Sequence, residues 1–468
     1  MDAAEAGGVT LGSGGRLTHA RAPSRCGWLA AAAAGALLAG GVRAADDQSS
    51  DGAPQVAHET WAVHGQFTYV EQDDSNFHDP YSGAHSLTPR RGKETTDLDI
   101  WAGVALWSGA EVWIDPELDQ GFGLNNTLGV AGFPSGEAYK VGSNAPYLRL
   151  QRAFVRDTVN GDGERIAVEP SAMWLGGDES ANRWVFTIGK FAVTDIFDNN
   201  QYAHDPRGDF LNWTAIDGGA FDYAADAWGF TVGAAVERYQ GPWSVRLGVF
   251  DLSNIPNSEH LEPGFHEFQI LAELEHRHEV GGHGGKVMFT AFESRGRMGL
   301  LDQAVALAQS SNTPVDISAV RQYRGRLGGV FSLEQELTAD LGVFARYSKA
   351  AGNVETYEFT DVDRSLEAGL SLKGSAWRRG HDTLGFAFVD NGISAEREQY
   401  LNAGGLGVLI GDGKLPHPGP EEILETHYSA ALIAHLAVSL DYQYFDHPAY
   451  NRDRGPVSVF AVRVHAQF

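Results

Sequence analysis

The chain has 468 residues and a net charge of −26, from 61 acidic and 35 basic side chains, so it lacks the basic surface that a nucleic-acid partner requires. Its 57 glycines and 11% aromatic residues are typical of short strands and tight turns rather than of helices. A single cysteine, Cys26, excludes a fold held together by internal disulfide bonds.

The amino-terminal region is predicted to be a secretory signal. Arg21 and Arg25 precede the apolar stretch "GWLAAAAAGALLAGGVRA", which ends in the small-residue pattern of a cleavage site after Ala44. Residues 1–44 contain two acidic and four basic side chains, so the chain left after cleavage has 59 acidic and 31 basic residues and a net charge of −28. No later stretch is apolar for 18 residues, and no membrane-spanning helix is predicted.

From residue 61 onward the chain reads as a series of two-faced strands. In "TDLDIWAGVALW", Leu98 and Ile100 fall on one face, and Asp97 and Asp99 fall on the other. The same alternation of apolar and polar residues recurs as far as the final stretch "VSVFAVRVHAQF". A period of two sustained over the whole chain predicts an all-β fold.

The connections between these strands alternate between short and long. The short ones lie at 108–109, 240–242, 280–285, 337–340, 378–381 and 434–435, and the long ones at 116–148, 191–228, 251–265, 294–323, 350–364, 391–424 and 446–456. This alternation is typical of a transmembrane antiparallel β-barrel with short periplasmic turns and long extracellular loops, here with about 16 strands. Residues 158–183 depart from it, because a short turn is expected there.

A large soluble all-β protein is the alternative fold. No blade-length repeat supports a propeller. Aromatic residues at the ends of the apolar faces resemble the girdle at a lipid interface: Trp184, Trp228, Trp243, Tyr428, Tyr442 and Tyr444. We therefore predict a barrel in the bacterial outer membrane over residues 61–468, after a short periplasmic segment at 45–60. Its partners would be outer-membrane lipid and lipopolysaccharide, and Phe468 resembles the carboxy-terminal signature of outer-membrane proteins that the barrel-assembly machinery reads.

The long connection after the stretch "RWVFTIGKF", residues 192–228, is the main functional candidate. It is dense in Asp, Asn, Tyr, His and Arg, and loops of this length are functional or disordered. Its aromatic residues predict an ordered loop: Phe197, Tyr202, Phe210, Trp213 and Tyr223. Such a loop could narrow the lumen of the barrel.

Four stretches carry a resemblance to a known family. They are "HGQFTYV", "DIFDNNQYAHDPRGDFLNW", "GAFDYAADAWGFTVGAAVE" and "GGLGVLIGDGKLPHPGPEEILETHYS". In this order and over nearly the whole chain, the sequence resembles the carbohydrate-selective porins of the OprB type. The resemblance implies an outer-membrane barrel of sixteen strands that passes monosaccharides such as glucose. It also implies that the third long loop folds inward as a constriction.

The candidate pore-lining residues are polar or aromatic side chains on the predicted inner faces and in this loop. On the walls they are Glu111, Trp113, Arg152, Phe154, Arg156, Glu237 and Arg246, and in the loop Asp195, Asp198, Asn199 and Arg207. Guanidinium and carboxylate groups can hold sugar hydroxyls, and aromatic rings can pack against sugar C–H faces. The competing interpretation for each charged residue is a salt bridge that stiffens the wall. For His204 a structural role in the turn "HDPRGD" is favoured.

Other functions stay open at this point. A porin for polyols, sugar acids or aromatic acids would have a similar sequence, and lumen arginines suit anions. An outer-membrane barrel enzyme is disfavoured because no G-x-S-x-G motif is present. His276 and His278 share a strand face but lack a fixed third ligand, so neither a metal nor a cofactor is predicted. A homo-oligomer is possible.

Overall fold

The computed structural model describes residues 58–90, 92–139 and 141–468. The predicted signal peptide, and the segment 45–60 up to residue 57, lie outside the described residues. Sixteen antiparallel strands close into one barrel, which confirms the predicted fold. They are β1 Trp61–Asp74, β2 Lys93–Trp107, β3 Ala110–Gly121, β4 Ser143–Asn160, β7 Arg183–Phe191, β8 Thr231–Gln240, β9 Trp243–Asp251, β10 Phe268–Val280, β11 His283–Met298, β12 Gln322–Thr338, β13 Leu341–Ala350, β14 Arg364–Gly374, β15 Arg379–Gly392, β16 Glu421–Ile433, β17 Leu436–Asp446 and β18 Val457–Gln467.

Two further strands, β5 Arg165–Val168 and β6 Gly177–Ser180, form a separate hairpin between β4 and β7. We call residues 161–182 the periplasmic insert, since they replace one of the short turns. The α-helices of the described residues are α1 Trp213–Ile216, α2 Leu301–Ser311 and α3 Ala395–Asn402. None of the helices described is both long and apolar enough to cross a bilayer.

Alternation of side chains divides the barrel wall into an apolar outer face and a polar inner face. On β9 the outward Leu247 is 50% exposed, whereas the neighbouring Arg246 is 7% exposed. On β2 the predicted faces are confirmed: Ile100 is exposed, and Asp97 and Asp99 are buried. The sequence pattern therefore sets which side chains meet lipid and which line the lumen.

Barrel closure joins the first strand to the last. Beyond the β1–β18 ladder, the backbone of Phe468 both donates to and accepts from Gly65, at 2.9 Å each. The Phe468 ring lies so close to Gly65 that a Cβ there would fall 2.1 Å from its Cζ atom. A side chain at residue 65 would therefore displace the Phe468 ring from this position.

The connection between β7 and β8, residues 192–230, folds into the barrel, as predicted. We call it the constriction loop. Its apolar side chains Phe197, Phe210 and Phe221 are completely buried and belong to the hydrophobic clusters inside the barrel. A loop that fills a sixteen-strand lumen has a core of its own and leaves a narrower channel than the strands alone would.

Candidate functional site

Arg152 links the barrel wall to the constriction loop. Its Nη1 donates to Asp115 of β3 at 2.8 Å, while Nε and Nη2 donate to both carboxylate oxygens of Asp195 at 2.8 and 2.9 Å. Burial alone would raise the pKa of Asp195, but the guanidinium of Arg152 outweighs it and lowers that pKa. Two candidates that lie 43 residues apart in sequence therefore meet as a charged pair at the start of the loop.

Arg156 and Glu111 contact the periplasmic insert. Arg156 Nη1 donates to Glu111 at 2.7 Å and to the carbonyl of Met173 at 2.7 Å, and its guanidinium lies 3.8 Å from the ring centre of Trp174. The other Glu111 oxygen accepts the backbone N–H of Leu175 at 3.1 Å. The insert is thereby attached to the inner wall at the periplasmic end.

The two aromatic wall candidates lie beside these ion pairs. Phe154 is buried between Arg152 and Arg156 on β4 and makes an edge-to-face contact with Phe191, 6.0 Å between ring centres. Trp113 is 1% exposed and stacks at 6.2 Å on His64 of β1. Both rings pack against other aromatic rings of the inner wall.

Glu237 and Arg246 are directly opposite one another on β8 and β9, as the short turn between them predicts. Arg246 Nε donates to Glu237 at 3.0 Å, and Nη1 donates to Glu273 at 2.7 Å and to Glu275 at 2.9 Å. Sequence reasoning did not identify the last two residues, although both fall on the polar face of β10. Three carboxylates surround one guanidinium on this wall.

Asp198 connects two segments of the constriction loop to each other and to the barrel wall. Its carboxylate accepts from the backbone N–H of Gly218 at 2.7 Å and from Arg346 Nε at 3.3 Å. Arg346, on β13, is 1% exposed and was not identified from the sequence. The neighbouring candidate Asn199 is exposed.

Glutamates of the inner wall accept backbone N–H groups of the constriction loop. One such residue lies on each of four strands: Glu273 accepts from Asp198 at 2.8 Å, Glu334 from Gln201 at 2.6 Å, Glu367 from Gly219 at 2.8 Å, and Glu425 from Leu211 at 2.6 Å and Asn212 at 2.9 Å. Hydrogen bonds to charged acceptors are stronger than neutral ones. The loop is thus held against β10 to β16.

The tip of the loop presents Arg207 to the opposite wall. Its guanidinium lies 3.8 Å from Asp97 and 3.5 Å from Asp99, both on β2, and 3.6 Å from Glu137. Burial lowers the pKa of Arg207, but these three carboxylates outweigh it and raise the pKa well above its usual value. Arg207 is therefore a fixed positive charge among acids. The turn itself is closed by Asp209, which accepts the backbone N–H of His204 at 3.0 Å.

An aromatic pocket lies among the long loops at the extracellular end. Six rings from three loops line this cavity of about 100 Å³; they are Phe133, Tyr139, Trp213, Tyr223, Trp228 and Phe359, which we call the entrance pocket. Phe133 and Trp213 stack at 5.2 Å with an angle of 14° between their planes.

Of these rings, Trp213 and Tyr223 were predicted to belong to an ordered loop, and Trp228 was predicted to belong to the lipid girdle. The structure contradicts the prediction for Trp228. Its Nε1 donates to Tyr147 at 3.0 Å, and its ring lies 3.4 Å from the Arg149 guanidinium. Arg149 and Tyr147 sit on the inner face of β4, so the girdle assignment of Trp228 was wrong.

A closed sixteen-strand barrel with an apolar outside, a charged lumen and an inward loop defines a porin of the bacterial outer membrane. Residues 84–468 match the carbohydrate-selective porin, OprB family. The chain belongs to this family. No curated protein matches it.

Solved structures of outer-membrane channels are similar to this chain. The high-pH structure of OprB from Pseudomonas putida is similar with a TM-score of 0.65 and 14% identity, covering 87% of this chain and 94% of that one. The low-pH structure of the same protein matches with a TM-score of 0.47, 12% identity and coverages of 87% and 93%. The outer-membrane channel DcaP of Acinetobacter baumannii matches with a TM-score of 0.47, 9% identity and coverages of 87% and 97%.

Proposed function

We propose that this carbohydrate-selective porin passes monosaccharides such as glucose, and that a sugar moves from the entrance pocket to the charged gap around Arg207. The observation that carries the proposal is the position of Tyr139. Its ring lines the entrance pocket, and its hydroxyl donates to Glu117 of the inner wall. Glu137, two residues earlier, contacts Arg207. Aromatic and charged surfaces are therefore continuous.

Each surface suits one side of a pyranose. Stacked rings such as Phe133 and Trp213 can pack against its C–H face, because aromatic faces provide a large apolar area. Arg207 and the carboxylates opposite it can donate to and accept from the hydroxyl groups. A channel must also release its solute, so we expect millimolar affinity, on the order of −4 kcal/mol.

The wall arginines have a second role in this proposal. Arg152, Arg156 and Arg246 each donate to at least one carboxylate. Arg152 bonds Asp195 and Arg156 bonds the carbonyl of Met173, so we propose that Arg152 holds the constriction loop and Arg156 holds the periplasmic insert. Both also contribute positive charge to the electrostatic field in the lumen. With Phe154, Trp113, Asp195 and Asp198, they shape the space through which the sugar passes.

The acidic side chains beside Arg207 favour neutral solutes over sugar acids and aromatic acids. Asp97 and Asp99 lie within 4 Å of Arg207, and carboxyl groups at this position do not favour the binding of sugar acids and aromatic acids. Polyols remain the second candidate, but they lack the flat C–H face of a pyranose ring that the entrance pocket suits. We propose no catalytic activity for this channel.

The test is the block of ion current by glucose in planar bilayers. Trp213→Leu and Arg207→Gln should each weaken the block several-fold, because each removes one of the two surfaces. Trp243→Leu is the matched control, since Trp243 is 46% exposed on the outer face and should leave the block unchanged. If neither Trp213→Leu nor Arg207→Gln alters the block, the sugar does not follow this path.

We also propose the steps that bring the protein to the membrane. Residues 1–44 are removed as a signal peptide, and 45–60 remain as a short periplasmic segment. The barrel, from residue 61, is then inserted by the barrel-assembly machinery next to lipopolysaccharide, alone or as a homo-oligomer. Amino-terminal sequencing of protein from outer membranes would test the cleavage, and a start other than Ala45 would contradict it.

A further inference from the structure

Six carboxylates cover the inner surface where β2 and β3 run side by side. This acidic wall consists of Asp97, Asp99, Asp115, Glu117, Asp119 and Glu137, which are between 0% and 4% exposed. In the β2–β3 register Asp97 is opposite Asp119, and Asp99 is opposite Glu117. Like charges directly across a strand pair destabilise a sheet, so this arrangement is unfavourable unless protons or cations compensate it.

The basic side chains beside the acidic wall are too few to balance its six carboxylates. Arg207 is within 4 Å of three of the six carboxylates. Arg152 reaches Asp115 but is also bonded to both oxygens of Asp195. Among the described residues, no other lysine or arginine nitrogen lies within 4 Å of a carboxylate oxygen of the acidic wall. Within the part of the chain that the structure describes, six acids therefore share two guanidinium groups, one of which also bonds Asp195 of the loop.

Three of these carboxylates converge on one point. Asp99, Asp115 and Glu117 each offer an oxygen atom within 4.8 Å of those of the other two. Each has one buried oxygen that accepts no hydrogen bond: Asp99 Oδ1, Asp115 Oδ1 and Glu117 Oε2. Buried charge without a partner is costly, so these atoms form an incomplete site.

A buried neutral side chain of β4, the strand paired with β3, is also without a partner. Gln151 is 0% exposed, and neither its Oε1 nor its Nε2 atom has a hydrogen-bond partner. It is the extra residue of a β-bulge, since Asp115 pairs with Arg152 and the next residue, Pro116, pairs with Leu150. Leu150 is outward, Arg152 is inward and Gln151 is 0% exposed, so we place Gln151 on the inner face, opposite the Asp115–Pro116 step of β3 in the register.

We infer that the acidic wall binds a divalent cation, Ca²⁺ by its chemistry, with Asp99, Asp115 and Glu117 as carboxylate ligands and Gln151 as an amide oxygen ligand. Ca²⁺ takes six to eight oxygen ligands at about 2.3–2.6 Å in flexible geometry. Its usual protein ligands are the carboxylates of Asp and Glu and the carbonyl oxygens of the backbone, Asn and Gln. Mg²⁺ fits less well, because it requires near-ideal octahedral geometry at shorter distances.

A bound Ca²⁺ would join three strands, β2, β3 and β4, at the edge of the lumen. It would also supply two positive charges next to Arg207 and reduce the cation preference of the channel. The inference does not depend on which solute passes through the pore, because it rests on the wall alone.

The experiment uses the purified full-length protein in detergent, stripped with EDTA and titrated with CaCl₂ by calorimetry. Wild type should bind one Ca²⁺ saturably, bind Mg²⁺ more weakly, and melt at a higher temperature in Ca²⁺ than in EDTA. Loss of even an outer-shell partner costs about 10- to 100-fold in metal affinity. The variant Asp99→Asn/Glu117→Gln, which removes two direct ligands, should therefore lose saturable binding.

Folding of the variant is checked by the same melting curves. In EDTA it should melt no lower than wild type, because it relieves repulsion, and Ca²⁺ should not shift it. The control Glu279→Gln/Asp302→Asn removes the same charge at two exposed positions and should keep the Ca²⁺ response. Absence of saturable binding to wild type, equal binding to the variant, or stabilisation of wild type by acid but not by Ca²⁺ would overturn the inference.

Discussion

The carboxylate of Glu425, on β16, accepts the backbone N–H of Asn212 in the constriction loop at 2.9 Å. The same carboxylate accepts the N–H of Leu211 at 2.6 Å, and neither loop residue is exposed. A side chain of the barrel wall thus supplies the partners that the loop backbone would otherwise lack inside the lumen. The position of the constriction is set by the wall as much as by the loop.

Glu425→Ala should loosen this end of the loop. Two buried N–H groups would lose their acceptor, at a cost of about 1–3 kcal/mol each. We expect a larger and noisier single-channel conductance and a lower melting temperature. Glu422→Ala, on the same strand but facing outward, is the control and should conduct as wild type does. Wild-type conductance from the Glu425 variant would mean that the loop does not depend on this contact.

Gly65→Val should impair barrel assembly, because a side chain there collides with the Phe468 ring. The fraction of protein that resists unfolding on an unheated gel measures assembly in the outer membrane. Gly284→Val, at a strand glycine with nothing within 4 Å of an added Cβ, should assemble normally. Deleting Phe468 should reproduce the Gly65→Val defect. Full assembly of both altered chains would show that this contact is dispensable.

The stability of the loop should depend on pH through Asp217. Burial, with the charge of Asp198 nearby, raises the pKa of Asp217 to about 8, whereas an unfolded aspartate titrates near pH 4. Between about pH 4 and 8 the folded state holds a proton that the unfolded state does not, so stability falls as pH rises, by up to about 1.4 kcal/mol per pH unit.

Asp217→Asn removes this dependence. The variant should melt above wild type at pH 8 and together with it at pH 4, when both are measured by thermal unfolding in detergent. Asp302→Asn, at an exposed helix position, should follow the wild-type curve. If the melting temperatures of the Asp217 variant and of wild type change with pH in the same way between pH 4 and 8, the prediction is wrong.

Arg156 and Arg152 should behave differently when each is replaced by alanine. Arg156→Ala detaches the periplasmic insert from the wall and should lower the melting temperature with sugar block unchanged. Arg152→Ala frees Asp195 at the start of the constriction loop and should raise conductance and cation preference. Measuring block, conductance and melting on both variants separates these roles. Identical effects of the two substitutions would contradict the assignment.

The sequence predicted the parts of this structure that depend on local patterns. Alternation along each strand was enough to place Asp97, Glu237 and Arg246 on the inner wall, and the length of the connections predicted the strand count. The inward loop was predicted from its composition and from a family resemblance. These features need no knowledge of what lies across the lumen.

Contacts across the lumen could not be predicted in this way. Glu425 pairs with loop residues more than 200 positions earlier in the chain. The sequence does not distinguish the lumen-facing glutamates that contact the loop from those that do not. Trp228 looked like a girdle residue because it precedes a strand, but the loop turns its ring inward. The bulge that places Gln151 on the inner face shifts the strand register by one residue and leaves the apolar pattern nearly unchanged.

The most direct test of the account is a comparison of solutes on the wild-type channel. Glucose, sorbitol and gluconate, which are a cyclic sugar, an open polyol and a sugar acid of similar size, should be compared by block of ion current and by liposome swelling. The account predicts saturable millimolar block and fastest uptake for glucose, weaker block by sorbitol and the weakest by gluconate. Equal uptake of the three, or tighter block by gluconate, would contradict it.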